Sequence, residues 1–401
     1  MDDATAPGTD EAPATPRWGG ISGVILSSLA VGIILTGLAP LLTLNLERAG
    51  VASSWIGVMG ATPAFAVICM SAAIPLIIKR LGAGQSMAVA IVLASAVLLL
   101  FPLFDPGPWW FVLRFVMALG VGITLVVGQT WAIALSTPQL RGTVMSLTIT
   151  AISLGFAVGP LLVGWLGSEG ALPFIVIAAI MAASVVAVPL AMRNGAPGLR
   201  GHATMRLRAA FRRAPHVMVS ILLVGFIWIT LMAFLPVYAV RSGLAEDNAV
   251  FLLTCFAGGN VVFQYPIGRL LDRWDAKRFL VICSLAQFLG VIGMVLTIHS
   301  GVLVWAVLTL WGGFLAGSYT AAMTMIGRVF QTAELSGANA AASLVLEVGG
   351  LAGPLLAGFA IQIWGLPGMI AILALAGTTM IGVAVRPWAE LAVPDSPVRL
   401  P

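Results

Sequence analysis

The chain has 401 residues, of which 60% are hydrophobic and only 9% charged. A water-soluble protein carries about 25% charged residues, so this composition cannot cover a water-facing surface and excludes a soluble globular domain; it suits a chain wrapped in lipid. The formal charge of +5 comes from basic residues that flank apolar runs and form no basic domain, which argues against a nucleic-acid partner. Cys69, Cys255 and Cys283 lie inside apolar runs at spacings that fit neither a disulfide framework nor a metal cluster.

Residues 1–16 are polar, acidic and rich in Ala, Pro and Thr, with no basic segment ahead of an apolar core. They read as a disordered cytoplasmic tail and not as a cleavable signal peptide. A membrane-crossing helix needs about 20 mainly apolar residues, and the sequence predicts twelve. Six, at 21–44, 53–78, 84–104, 109–135, 141–166 and 172–192, belong to an N-terminal bundle over 17–192. A basic cytoplasmic linker, 193–215, carries six arginines and suits the anionic inner face of a membrane. Six more spans, at 217–240, 248–271, 277–298, 301–327, 338–363 and 368–386, make a C-terminal bundle over 216–388, and 389–401 is a second cytoplasmic tail. Transmembrane strands would be about 10 residues of alternating polarity, and these runs do not alternate. With both termini inside, every Lys and Arg except Arg48, Arg114 and Arg241 falls on the cytoplasmic side, as the positive-inside rule requires. Trp55, Trp109, Trp110, Trp165, Trp305 and Trp364 lie near span ends, where aromatic anchors belong.

Two features stand out along these spans. Gly155, Gly159, Pro160 and Gly164 of the fifth span recur 194 positions later as Gly349, Gly353, Pro354 and Gly358 of the eleventh. Self-similarity at half the chain length means two related halves, and small residues every fourth position let helices pack closely while proline loosens the helix ladder. The second feature is Glu347, alone among the fifteen acidic residues in lying well inside a span. It falls about ten residues into the eleventh, roughly 15 Å along the helix. A charge at that depth is costly enough that function is the default explanation, and a carboxyl group there suits a carrier of protons.

Together these residues resemble the major facilitator superfamily over essentially the whole chain beyond the tail. Three local patterns carry the likeness. Gly268-Arg269-Leu270-Leu271-Asp272-Arg273 with Lys277 and Arg278 looks like the family's cytoplasmic loop motif, and its first-half counterpart keeps only the basic pair Lys79 and Arg80, with Pro75 and Lys79 where glycine and aspartate are expected. Gly268 would allow close helix contact, and Asp272 would pair with arginine and cap a neighbouring helix, latching the cytoplasmic side. The fifth-span glycine-proline run resembles the antiporter-associated motif of the drug/proton branch. Arg114, followed by Gly120 and Gly122, resembles an intramembrane arginine motif, with Met117 and Ala118 departing from it.

The resemblance implies an all-α membrane protein of two pseudo-symmetric six-helix bundles working by alternating access as a monomer in a bacterial inner membrane. It implies a small-molecule substrate, with a proton gradient in place of any cofactor. It also implies a cavity lined by Gln129, Trp228, Thr230, Asn260, Gln264, Trp311 and Tyr319, with Glu347 and Arg114 as proton-coupling groups. Export of small amphipathic molecules suits the few charges available; uptake or facilitated passage of a small organic anion, with Arg114 as its charge partner, is the alternative. A non-transporting receptor would need a sensor or partner domain of some size. An enzyme would need chemistry that the sequence lacks: there is no HExxH, no phosphate-binding loop, and His202, His216 and His299 all lie near membrane surfaces.

Overall fold

A computed structural model describes residues 15–71, 73–137, 139–193, 207–271 and 273–386. It contains 12 helices long and apolar enough to cross a membrane. The first half contributes α1 (Trp18–Arg48), α2 (Ser53–Met70), α4 (Ala83–Leu100), α5 (Pro108–Ala134), α6 (Arg141–Leu166) and the pair α7 (Leu172–Ala183) and α8 (Ala187–Arg193), with α3 (Ile74–Leu81) a short link. The second half contributes α10 (Pro215–Arg241), α11 (Glu246–Leu271), α12 (Ala276–Thr297), α13 (Val302–Val329), α14 (Thr332–Trp364) and α15 (Leu366–Val385), preceded by the short link α9 (Leu207–Arg213). Without water to bond the backbone, a spanning segment has to satisfy its own amides, which keeps these helices intact even where Pro40, Pro63, Pro160, Pro236, Pro266 and Pro354 interrupt the ladder.

Two predicted spans are broken. The 53–78 run ends as a helix at Met70, and its remainder turns and restarts as α3 with a proline in its first turn, where a missing N–H costs nothing. The 172–192 run is interrupted by a 3-10 turn at Ser184–Val186. The central connection is described only from Leu207, and residues 1–14, 194–206, 387–401 and Asp272 lie outside the described residues.

With an even number of crossings, Trp18 and Val385 lie at one end of the bundle, called here the near end, and Arg48 and Arg241 at the far end. Each half is tied together by the repeated glycines. A Cβ on Gly155 would lie within 3 Å of Leu29 O, Gly32 Cα and Ile33 N of α1, and one on Gly159 would meet Thr36 Oγ1 at 2.5 Å and Ile33 O at 2.6 Å. The second half repeats this: a Cβ on Gly349 would overlap the Leu222 backbone of α10, and one on Gly353 the Phe226 carbonyl and Thr230 Oγ1. Thr36 and Thr230 are themselves 194 positions apart, and each hydroxyl donates to the carbonyl four residues back, Gly32 O at 3.1 Å and Phe226 O at 2.6 Å. The Gly-Pro repeat is therefore a crossing device used twice, α6 on α1 and α14 on α10.

The halves meet along α2 and α14 on one side and α6 and α11 on the other. The first seam is tight at the far end, where a Cβ on Gly57 would overlap Pro354 O and one on Gly358 would lie 2.6 Å from Ser53 O and 3.0 Å from Gly57 Cα. The second is looser: at Gly164 a Cβ would reach only Val250 Cγ1, at 3.7 Å.

Candidate functional site

Glu347 is the middle of the 33-residue α14. Side chains three, seven and eleven positions apart share a helix face, so Glu347 lies on the stripe of Gly350, Pro354 and Gly358. Those three residues face α2: beside Gly350 stand Ala64 and, from α10, Ile229, and beside Pro354 stand Gly57 and Gly60. Glu347 thus faces the first half, one turn toward the near end from Gly350 and Ala64. It is half-buried, and it forms no ion pair among the described residues. Tyr319 on α13 is also half-buried.

An aromatic chain crosses from one half to the other. Phe156 of α6 stands 5.7 Å from Trp228 of α10, Trp228 stands 5.5 Å from Phe256 of α11, and Phe256 meets Trp311 of α13 edge-on at 5.8 Å. Phe156 and Trp228 are half-buried, whereas Phe256 is sealed. One turn toward the near end, Ser153 Oγ of α6 donates to Gln264 Oε1 of α11 at 3.3 Å. Gln264 is exposed although it bonds to the other half, and Asn260, a turn away, is half-buried. Neither Phe156 nor Ser153 was singled out by sequence, where nothing separates them from other residues of the fifth span.

Of the predicted cavity groups, Gln129, Trp228, Asn260 and Tyr319 are half-buried and Gln264 is exposed. Two are sealed in packing: Thr230 has no exposed surface and belongs to the α10–α14 crossing, and Trp311, 2% exposed, donates its indole N–H to Gln287 Oε1 at 2.9 Å. Gln287 on α12, itself fully buried, also donates to Cys283 O at 3.1 Å. Replacing it by leucine strands the indole donor, a loss of about 1–3 kcal/mol; Gln287→Leu is expected to lower the melting temperature of the solubilised protein and leave the transport mechanism unaltered. Trp110 departs from its anchor role too. It is buried between Phe101 and Phe174 and bonds Phe104 O at 3.0 Å.

Arg114 is 5% exposed, and its Nε and Nη1 have no hydrogen-bond partner among the described residues. It shares a face of α5 with Trp110, Met117, Val121 and Gly128, all buried. The helix brings that face against α1, since the atoms nearest a Cβ on Gly128 are Ser27 Oγ and Val24 Cγ1. No residue brings Arg114 and Glu347 into contact: they sit on opposite halves.

At the near end Lys79, Arg80, Arg273 and Arg278 are exposed and Lys277 half-buried. A Cβ on Gly268 would meet nothing within 4 Å, so the close helix contact expected at this glycine is absent among the described residues in this conformation. Helix capping at α12 is done by Asp275, whose carboxylate accepts from Arg278 N at 3.2 Å; the Asp272 expectation lies outside the described residues. Asp275→Ala is expected to cost about 1 kcal/mol, read as a small fall in melting temperature.

The family model described as Major Facilitator Superfamily matches residues 21–252 and 243–399. The uncharacterized MFS-type transporter YfkF of Bacillus subtilis is 31% identical over 183 residues, 44% of this chain and 46% of that protein. This alignment therefore spans about half of that relative. The uncharacterized MFS-type transporter YcaD of Salmonella enteritidis is 22% identical over 346 residues, covering 85% of this chain and 88% of its own. Among solved structures, the nucleoside transporter NupG superposes with a TM-score of 0.72 at 16% identity, over 92% of this chain and 97% of NupG, a likeness of fold.

Proposed function

The chain belongs to the major facilitator superfamily, and on that premise we propose that it is a proton-coupled exporter of small amphipathic molecules, working by alternating access. Family members are transporters and not enzymes, so the chemistry required is binding, release and proton exchange. The observation that carries the coupling is the placement of Glu347: mid-helix, half-buried, and on the helix stripe that faces the other half. A group so placed changes surroundings when the halves rock, which is what coupling a proton to conformation requires.

The near end is the cytoplasmic side in this reading, because the described basic residues other than Arg48, Arg114 and Arg241 gather there. The far end is then external, and the membrane is a bacterial inner membrane with both termini inside. In this reading the conformation is inward-facing, with the far end held by the α2–α14 contacts at Gly57 and Gly358. Substrate would enter from the cytoplasm between the bundles, against Trp228, Gln129, Asn260, Gln264 and Tyr319, while Glu347 gives up its proton. After the halves rock, a proton from outside would load Glu347 and favour release. The basic residues around Gly268 and Lys79 would close the inner side in that second state.

One observation favours a second reading. Two unsatisfied nitrogens on a guanidinium buried in the bilayer are costly, and an anionic solute would satisfy them; Arg114 would then serve uniport or exchange of a small organic anion. The test is flux in proteoliposomes under an imposed pH gradient, with a panel of fluorescent lipophilic cations and organic anions. The export reading predicts movement of a cation against the direction of proton flow, collapsed by a protonophore. Flux of an anion that ignores the gradient supports the second reading.

A further inference from the structure

Repeats related by a two-fold axis obey a simple rule. If a residue touches its own counterpart in the other repeat, both lie at the axis, because only there do equivalent positions coincide. Glu47 and Arg241 are such a pair. They are 194 positions apart, the offset that relates Gly155 to Gly349 and Thr36 to Thr230, and they are joined by a two-pronged ion pair. Arg241 Nε donates to Glu47 Oε1 at 2.6 Å and Nη2 to Oε2 at 2.7 Å, while Nη2 also donates to Ser53 Oγ at 2.9 Å. In the major facilitator fold the passage between the bundles follows this axis. The pair therefore stands at the centre of the far mouth and not on its rim.

A second cluster supports it. Arg48, the next residue of α1, bonds Glu246 of α11 through Nε at 3.0 Å and Ser168 Oγ through Nη2 at 2.5 Å, and approaches Glu169 at 3.4 Å. Ser168 Oγ in turn donates to Glu246 Oε2 at 2.5 Å, and Asn45 holds the Ser168 carbonyl at 2.8 Å. The last turn of α1 thus grips the second half twice, through α10 and through α11. Exposed ion pairs contribute little, but the bidentate Arg241–Glu47 geometry adds direction as well as strength, and the side chains are only 30% and 19% exposed. Around them the chain is already drawn tight, since Ser53, which receives Arg241, also lies against Gly358 at the α2–α14 seam.

We propose that Glu47–Arg241, braced by the Arg48–Glu246–Ser168 cluster, is an ionic gate on the pseudo-two-fold axis that seals the far mouth and has to break before the bundles can part there. This rests on the alternating-access reading only for the existence of a state with that mouth open, and it needs neither a known substrate nor proton coupling. Divergence of the repeat is what makes it work: identical residues at an axis would set like charges against each other, and this chain has glutamate on one side and arginine on the other.

Spin labels at Leu172 of the first half and Val302 of the second, both exposed at the far end, measure the mouth directly. The background carries Cys69, Cys255 and Cys283 replaced by serine, and distances are read by pulsed electron resonance on the full chain in detergent. The parent is expected to show mainly the short separation. Arg241→Glu is expected to raise the ratio of long to short separations at least about tenfold, within the range of coupling between sites in such equilibria. The exchange Glu47→Arg with Arg241→Glu restores the pair and is expected to return the short separation. Unchanged distances in Arg241→Glu, or a lengthening that the double exchange leaves in place, overturn the gate. Should the single reversal not accumulate, Glu47→Gln with Arg241→Gln carries the same prediction without like charges. Because no transport is measured, a failed gate leaves the export reading standing, and a failed export reading leaves the gate standing.

Discussion

Gly349→Ala is expected to prevent accumulation of the folded protein, while Gly164→Ala is expected to be harmless or mildly stabilising. Both glycines belong to the same repeated pattern, and helix propensity alone would favour alanine at each by about 1 kcal/mol. What separates them is what the new methyl meets. At Gly349 it overlaps the Leu222 carbonyl of α10, and backbone cannot swing aside as a side-chain tip can. At Gly164 it meets Val250 Cγ1 at 3.7 Å, ordinary van der Waals contact. Overpacking a formed core costs about 1–3 kcal/mol and occasionally more, and separating α14 from α10 strips contacts along the whole crossing, so Gly349→Ala falls at the upper end. Gly155→Ala should behave likewise, since Leu29 O and Gly32 Cα of α1 stand in the equivalent place. Fluorescence-detected size-exclusion of the solubilised variants, with melting temperatures for those that fold, measures both effects.

The second large effect is functional. Glu347→Gln keeps the size and hydrogen-bonding reach of the side chain but cannot exchange a proton, and it is expected to reduce gradient-driven flux at least about tenfold, equivalent to about 1.4 kcal/mol. Folding should be preserved, because the carboxyl holds no ion pair among the described residues that the amide would forfeit. Exchange of substrate for substrate in the absence of a gradient should survive, since rocking between loaded states does not need a proton to move. Glu347→Asp should retain part of the driven flux with an altered pH profile, whereas a residue that only packs would respond to shape and not to titratability.

The fold was legible because a bilayer leaves a chain few options. Runs of apolar residues long enough to cross, with charges confined between them, can only be helices, and the recurrence of Gly155-x-x-x-Gly159-Pro160 announced two halves. The role of those glycines in packing followed from their spacing, and the structure places both copies at equivalent crossings. Which face of each helix turns inward was not legible. In water a polar stripe marks the exposed side, but here lipid-facing and core-facing sides are equally apolar, so span membership said nothing of whether Thr230 or Trp311 reached an opening. Both are sealed. Trp110 was misread as an anchor for the same reason: nearness to a span end does not say whether a ring points to the interface or, as here, against Phe101 and Phe174. The Glu47–Arg241 pair was present in the repeat offset all along, but only the position of the axis shows that two such residues touch.

The central claim is that substrate movement and proton movement share one path through Glu347. The most direct measurement is made in proteoliposomes with an internal pH dye and no imposed gradient, to which members of a lipophilic cation and organic anion panel are added in turn. The account predicts that a cation elicits proton movement in the opposite direction in the parent protein and none in Glu347→Gln. Substrate entry without any pH change, equal in both proteins, would contradict it.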